Sequence, residues 1–350
     1  MKKTLLRTII AIIVVLSTFL YAACAKNEGV KEVNEIGRGN FAQRVDADDL
    51  SFDVIPIDST IAKGADQLAA VIYLMGIAES NYFNADYLAK VSLGGGSAIA
   101  AGLTGKMTVR SLSIREGDTS YSQSIGRVYE GDPQGLLGAA QMLLDQGKRT
   151  YTINCGDEDE EVSYRQEPKN KGNPAMTDTF PFATCNFAAA DLETIDKEHP
   201  DEENDFHLKY NGELTNFVIS TDSILPESYS VVFDDEKGCY TVIFEIDVRT
   251  QDSRNAYTDR PRASLRKSAT SSDLEFKKYK VTMEMWDNGL IKTYSTEEEW
   301  EATLELTSFI KPNGASESKS TDYYSYDEDD CEIEDYVEEG FISLDWIPNN

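Results

Sequence analysis

The sequence predicts an α+β fold that is mainly antiparallel β-sheet, with a few helices packed on it. Apolar residues occupy every second position in two stretches, at Tyr240, Val242, Phe244, Ile246 and Val248, and again at Tyr279, Val281, Met283 and Met285. A period of two places such residues on one buried face of a strand. Turn sequences at 234–238 and 287–289 lie beside these stretches and suit tight hairpins. Helical spacing extends over one long stretch, 61–78, which predicts a buried helix.

The first 23 residues predict an export signal. Lys2, Lys3 and Arg7 precede an apolar run at 9–20, which ends in small residues before Cys24, and this is the organisation of a signal peptide. Cleavage for plain secretion at Ala23-Cys24-Ala25 is one alternative. An uncut anchor is another, although the run is shorter than the roughly 20 residues that a spanning helix needs. Each alternative places the residues after 26 outside the cytoplasm.

The position of Cys24 directly after two alanines resembles the lipobox of bacterial lipoproteins, in which the cysteine becomes the lipidated N-terminus. This resemblance implies a lipid anchor on Cys24 and a membrane-attached protein at the cell envelope. One position departs from the family, because Tyr21 stands where leucine is preferred. The polar residues 24–50 then predict a tether, and 51–350 predict a single mainly antiparallel β domain.

The charge of the chain excludes one class of partner. Residues 1–23 contain three of the 33 Lys and Arg and none of the 62 Asp and Glu, so the mature chain has a formal net charge of −32. Such a field repels nucleic acid at long range. Solubility at a crowded cell surface explains the charge most simply.

Four cysteines remain beyond the lipobox, namely Cys155, Cys185, Cys239 and Cys331. An even number in an exported chain predicts two disulfides, with three connectivities open. Four reduced, packed thiols are the alternative. The wide spacings exclude a CxxC redox or zinc pattern.

The first half of the domain begins with an apolar segment at 52–57 and a helix cap at 58–60, followed by the helix at 61–78. This helix is apolar on most sides, so Leu68, Ile72 and Met75 either line a hydrophobic cavity or form ordinary core. The run Gly94-Gly95-Gly96 predicts a linker or tight turn. It is not a phosphate-binding loop, because Ala100 and Met107 stand where that motif requires glycine and Ser or Thr.

Further along, 107–125 predict a hairpin around the turn 116–118, 133–146 a short helix and 149–155 a strand. The acidic stretch 156–206 predicts a loop-rich insertion. It fails as an EF-hand at Val162 and Pro168, although calcium binding by loop carboxylates stays open. His199 and His207 have no third ligand in a zinc-binding pattern. No metal or cofactor is therefore expected.

The second half predicts a hairpin at 229–248, another at 279–294, and short strands at 304–310, 323–326 and 341–347. A basic group interrupts the acidity between the hairpins and comprises Arg249, Arg254, Arg260, Arg262, Arg266 and Lys267. These side chains either bind a phosphate or carboxylate head group or neutralise neighbouring acidic loops.

Export signal, tether, buried helix and a long antiparallel series together resemble the LolA-like lipoprotein-carrier superfamily, in element order over about 50–347. That resemblance implies a curved, half-barrel-like sheet whose concave side is covered by helices and can hold a lipid. Leu68, Ile72 and Met75 would then line the ligand site, with Arg260, Arg262 and Arg266 at its mouth. The acidic stretch 156–206 lies outside the family pattern.

Two functions are consistent with the sequence. The first is a non-enzymatic envelope lipoprotein that binds an apolar or amphipathic ligand such as a lipid. The second is an adhesion or scaffold lipoprotein that binds envelope or protein partners through an acidic surface rich in tyrosine, including Tyr323, Tyr324, Tyr326 and Tyr336. No GxSxG, HExxH or Cys/His signature indicates an enzyme. A glycosidase-like carboxylate pair stays open, because its test is a distance in space.

Overall fold

A computed structural model describes residues 41–100, 103–117, 119–130, 146–154, 161–166, 184–185, 214, 219–249, 271–305, 313–333 and 344. Its strands are β1 Tyr87–Ala100, β2 Leu103–Glu116, β3 Thr119–Glu130, β4 Gln146–Asn154, β5 Glu161–Gln166, β6 Thr184–Cys185, β7 Ser230–Asp234, β8 Cys239–Glu245, β9 Ser271–Trp286, β10 Ile291–Glu305 and β11 Asn313–Ser325. They form one unclosed, curved sheet in the order β6-β5-β4-β3-β2-β1-β11-β10-β9-β8-β7. The predicted mainly antiparallel fold is thus confirmed.

Each half of the sheet is a meander of sequential antiparallel strands, and the two halves join where β1 pairs with β11. In that pairing Val91 lies opposite Tyr323. The predicted hairpins at 107–125, 229–248 and 279–294 are confirmed as β2–β3, β7–β8 and β9–β10. Their turns contain Gly117, Gly238 and Gly289, which have φ values of 51°, 63° and 95°. Glycine adopts this left-handed backbone without a steric cost.

The helical stretch is divided into two helices, α1 Ser59–Ala62 and α2 Gln67–Asn84. The prediction of one helix at 61–78 was therefore wrong about its continuity and its end. Two caps explain the break. The Asp58 carboxylate accepts from the Thr60 amide at 2.8 Å, and the Asp66 carboxylate accepts from the Ala69 amide at 3.1 Å, so each helix has its own start.

The prediction of a turn or linker at Gly94-Gly95-Gly96 was wrong. These glycines lie within β1, where Gly95 pairs with Thr108 of β2 on one side and with Lys319 of β11 on the other. Pairing on both sides supplies the backbone hydrogen bonds, so the local preference of glycine for turns is overridden.

Two strands lie within the acidic stretch 156–206, and the rest of that stretch lies outside the described residues. Within it, β5 pairs with β4 and β6 pairs with β5, which extends the sheet. The predicted strand at 149–155 corresponds to β4, and 323–326 coincides with the end of β11. Most of the predicted helix at 133–146, and of the strands at 304–310 and 341–347, lies outside the described residues.

Two core clusters lie on opposite faces of the sheet. The first contains α2 side chains such as Leu74 and Met75 together with alternate residues of β8, β9 and β10; we call this side of the sheet the helix face. The second contains Tyr87, Val91 and Leu112 and lies on the other side, which we call the opposite face. Because strand side chains alternate, the intervening residues of β1 and β2 lie on the helix face.

The ends of α2 are fixed to distant strands. At its start, the Gln67 side-chain oxygen accepts from the Val231 amide of edge strand β7 at 2.7 Å. An edge strand leaves backbone N–H groups without a partner strand, and this hydrogen bond satisfies one of them. Near its end, the rings of Tyr82 and Tyr324 meet edge to face at 6.1 Å between centroids. The helix therefore reaches from β7 to β11 on the helix face. No helix among the described residues combines the length and apolar character needed to cross a membrane.

Candidate ligand-binding cleft

The helix residues predicted to line a ligand cavity are part of the packing between α2 and the sheet. Met75 is 3% exposed in the first core cluster, and Leu68 and Ile72 are partly buried against that cluster. Of the two interpretations of these residues, cavity lining and ordinary core, their positions agree with ordinary core packing.

A cleft of about 390 Å³ lies instead on the helix face, over the four adjacent strands β11, β1, β2 and β3. Polar side chains predominate among its lining residues, and Gly94, Val109 and Leu112 contribute apolar surface. The hydroxyl-bearing residues are Ser92, Ser111, Ser113, Ser122, Ser124 and Ser320, and Lys90 and Asp322 contribute opposite charges. None of the predicted lining residues of α2 contributes to this lining.

Strand register explains why these side chains converge. Lys90 of β1 pairs with Ser113 of β2, and Ser113 pairs with Ser122 of β3. One step along the same face, Ser92 pairs with Ser111, which in turn pairs with Ser124. Residues directly opposite each other in neighbouring strands share one face. Polar residues at alternate positions on three strands therefore form one continuous floor.

The charged pair stands at the side of the cleft nearest β11. Lys90 Nζ lies 3.5 Å from Asp322 Oδ2, and the two side chains are 20% and 18% exposed. Asp322 pairs in register with Ser92, so the contact with Lys90 runs diagonally between β1 and β11. Partial burial removes water from both charges and strengthens their attraction relative to an exposed pair.

The serine hydroxyls of the floor have unused hydrogen-bonding capacity. Ser320 shares a hydrogen bond with Thr296 at 2.9 Å. The side chains of Ser92, Ser111, Ser113, Ser122 and Ser124 form no hydrogen bond with any other described residue. Each hydroxyl offers one donor and two acceptor sites, so the floor can bind either kind of polar group.

Gly94 contributes no side chain to the floor of the cleft. It lines the cleft between Val109 of β2 and Ser320 of β11. Its backbone does not require glycine, because positive φ values among the described glycines occur only in the three hairpin turns. A glycine inside a strand often marks a place where another group approaches the backbone closely.

The end of α2 is bonded to Arg115 of β2, two residues beyond Ser113 of the cleft floor. The Arg115 guanidinium donates to the carbonyl oxygens of Tyr82 and Ala85 and lies 5.1 Å from the Tyr82 ring centroid. A cation at a helix C-terminus stabilises the final carbonyls. On β11, the buried Tyr324 pairs with Lys90, and burial together with the nearby Asp322 carboxylate raises the pKa of Tyr324 well above its ordinary value. Its hydroxyl stays protonated and has no hydrogen-bond partner among the described residues.

The tyrosines predicted to form an adhesive surface are largely internal, which corrects that expectation. Tyr324 is 1% exposed and Tyr326 is 4% exposed in the first core cluster. Tyr323 packs partly buried against the second cluster. Tyr336 lies outside the described residues. The neighbouring residues Tyr323 and Tyr324 of β11 therefore pack on opposite faces of the sheet.

Several other predicted site residues lie outside the described part of the chain. These are Cys24, Cys155, Arg260, Arg262 and Arg266, and only the backbone of Cys185 is described. Arg249, the first of the basic group, donates from Nε to Asp247 Oδ1 at 2.7 Å, which fits the neutralising alternative. Cys239 and Cys331 are both buried and are not bonded to each other. The disulfide prediction otherwise stays a prediction.

Groups suited to metal binding or proton transfer are few among the described residues. No set of three or more His, Cys, Asp or Glu side chains in that part of the chain is placed to hold a metal ion. One carboxylic acid is perturbed toward neutrality, since burial raises the pKa of Glu79 on α2 to about 7. One of its oxygens is buried without a hydrogen-bond partner in the described structure.

Comparison with known proteins gives little further information. No protein-family model matches this chain, and no curated protein matches it. Among solved structures, a DUF1329 family protein from Desulfovibrio piger is 7% identical, covers 75% of this chain and 92% of its own, and superposes with a TM-score of 0.21. A TM-score this low supports no inference about function.

The residues of the cleft were not identified from the sequence. One signal was present, because Ser111 and Ser113 alternate with the apolar Leu112 and Ile114. That alternation predicts a strand with one polar face, but it does not show which other polar residues share that face. Lys90 and Asp322 come together only through the pairing of β1 with β11.

Proposed function

We propose that this chain is a non-enzymatic lipoprotein of the cell envelope that binds an amphipathic ligand, with the polar part of the ligand in the cleft on the helix face. The supporting observation is the cleft itself, which combines about 390 Å³ with a polar floor. Binding sites are usually concave, with a few placed polar groups that fix the orientation of the ligand.

The character of the lining favours an amphipathic ligand over a purely apolar one. A floor of serines and a Lys–Asp pair loses hydrogen bonds to water when an apolar group covers it, and that loss is costly. A polar head group replaces those hydrogen bonds.

Export and anchoring complete the proposal. The N-terminal signal would direct the chain out of the cytoplasm, and lipidation of Cys24 with the polar residues 24–50 would hold the domain near a membrane. A protein held there meets amphipathic molecules at high local concentration. Adhesion is the weaker alternative, because two of the tyrosines on which it depended are buried.

The proposal is tested by filling the cleft. Gly94→Leu places a side chain on the floor, and Gly76→Leu is the matched control, because Gly76 is exposed on α2 and a Cβ added there would meet no neighbouring atom. Protein purified from its native envelope is extracted with organic solvent, and the co-purified lipid is quantified by mass spectrometry. We expect lipid with the wild type and Gly76→Leu, and at least tenfold less with Gly94→Leu. Equal amounts in all three proteins, or none in the wild type, would contradict the proposal.

A further inference from the structure

The charged pair of the cleft indicates what kind of head group it accepts. We infer that the cleft selects zwitterionic groups, in which an ammonium contacts Asp322 and a nearby phosphate or carboxylate contacts Lys90. This inference rests on the proposed function of the same cleft. It adds the ligand class, which the volume and the hydroxyl lining alone do not determine.

The geometry leaves both charges able to bind a ligand. The contact between Lys90 and Asp322 is 3.5 Å long and involves only Oδ2 of the carboxylate. An ammonium group has three donors and a carboxylate has about four acceptor sites, so neither group is saturated by the other. Both side chains retain about a fifth of their exposure on the side of the cleft.

Ligands with one charge fit the pair poorly. An anion beside Lys90 is repelled by Asp322, and a cation beside Asp322 is repelled by Lys90. Like charges at close range cost more in a partly dehydrated site than in water. A zwitterion presents the complementary charge to each residue, so it replaces the attraction between Lys90 and Asp322 with two attractions of its own.

The charge of the whole chain also favours a zwitterion over a simple anion at long range. A formal net charge of −29 disfavours the approach of simple anions. A zwitterion has no net charge and is not repelled as a whole. Once in the cleft, its phosphate or carboxylate oxygens can accept from the Ser92 and Ser113 hydroxyls, which line the cleft beside Lys90.

The same chemistry occurs in a lipid head group and in a small free molecule such as an amino acid. Binding of the full-length protein is therefore measured by isothermal titration calorimetry with four soluble probes: glycerophosphoethanolamine, glycerol phosphate, ethanolamine and glycine. We expect one zwitterion to bind at least tenfold more tightly than glycerol phosphate and ethanolamine. Tighter binding of glycerophosphoethanolamine would identify a lipid head group as the source, and tighter binding of glycine would identify a free amino acid.

Variants then test the two residues. Lys90→Met and Asp322→Asn should each weaken zwitterion binding at least tenfold. Lys319→Met is the matched control, because Lys319 lies on β11 but bonds to Glu297 at 2.9 Å and does not line the cleft. The double variant Lys90→Asp with Asp322→Lys keeps one charge of each sign and should recover zwitterion binding. Its recovery would show that the single variants lose charge complementarity and not the fold.

The inference and the proposed function fail in different ways. If Gly94→Leu abolishes binding but glycerol phosphate binds as tightly as either zwitterion, the charge selectivity is wrong and the cleft remains the binding site. The same conclusion follows if both single-charge variants bind normally. If Gly94→Leu binds every probe as well as the wild type, the cleft is not the site and both ideas are wrong.

Discussion

Replacing Asn81 by alanine should remove a buried connection among three separate parts of the fold. Asn81 is fully buried on α2. Its side-chain oxygen accepts from the Ile55 amide at 2.7 Å, and its nitrogen donates to the carbonyl oxygens of Ile55 at 3.1 Å and Gly289 at 2.9 Å. The side chain thereby holds the segment before α1, the helix and the β9–β10 turn together.

The expected cost follows from these three hydrogen bonds. Each contributes about 1 kcal/mol, and a buried group left without a partner costs about 1–3 kcal/mol. Water can reach Ile55, which is 37% exposed, so the unpaired Gly289 carbonyl dominates the second contribution. We therefore expect Asn81→Ala to lower the free energy of unfolding by about 4–6 kcal/mol.

Urea unfolding followed by circular dichroism measures this change directly. Asn84→Ala is the control, because Asn84 is the exposed last residue of the same helix and its replacement should change stability by less than about 0.5 kcal/mol. A loss below about 1 kcal/mol for Asn81→Ala would refute the reasoning that this residue joins the three segments.

Three further changes test other parts of the structure. A Cβ on Gly289 would lie 2.7 Å from the Ile55 carbonyl oxygen, so Gly289→Ala should destabilise by at least about 2 kcal/mol, and an unchanged melting temperature would contradict this. Asp66→Ala removes the cap of α2 and should cost about 1 kcal/mol in urea unfolding, whereas no loss would mean that the cap is dispensable. Burial raises the pKa of Glu79 from 4.5 to about 7, so the folded state keeps a proton that the unfolded chain releases, and stability should fall between about pH 4.5 and 7. At pH 8, the free energy of unfolding of Glu79→Gln should therefore be about 1 kcal/mol higher than that of the wild type, a value reduced for partial hydration of the carboxyl. Equal stabilities of the wild type at pH 5 and pH 8 would contradict the burial of this carboxyl.

The predictable parts of the fold were those specified by neighbouring residues. Tyr240, Val242 and Phe244 alternate with half-buried positions, and this local pattern identifies β8 without reference to its partner strands. The sequence at 287–289 similarly identified the β9–β10 turn. Both signals depend on a few consecutive residues, so tertiary structure had little opportunity to override them.

The parts that were missed depend on contacts between distant residues. Gly94-Gly95-Gly96 became a strand because β2 and β11 pair with it from both sides, and no local propensity indicates that. The break between α1 and α2 depends on which of several adjacent polar residues acts as a cap. Both outcomes follow from hydrogen bonds that single-sequence patterns do not specify.

The cleft was beyond prediction for a related reason. A polar face on β2 was visible in the alternation of Ser111 and Ser113 with apolar residues. Its use as a floor requires the register that aligns it with β1 and β3. A shift of one residue would turn every serine of that strand to the other side of the sheet. The predicted cavity under α2 and the cleft lie on the same face of the sheet but over different strands.

The most direct test of the central claim is to map where a ligand contacts the protein. Backbone amide resonances of the full-length protein are assigned and followed by NMR while the lipid extracted from its native envelope is added. The account predicts that shifts concentrate at 90–94, 111–113, 122–124 and 320–322. Shifts concentrated at 68–75 on α2, or no specific shifts at saturating lipid, would contradict it.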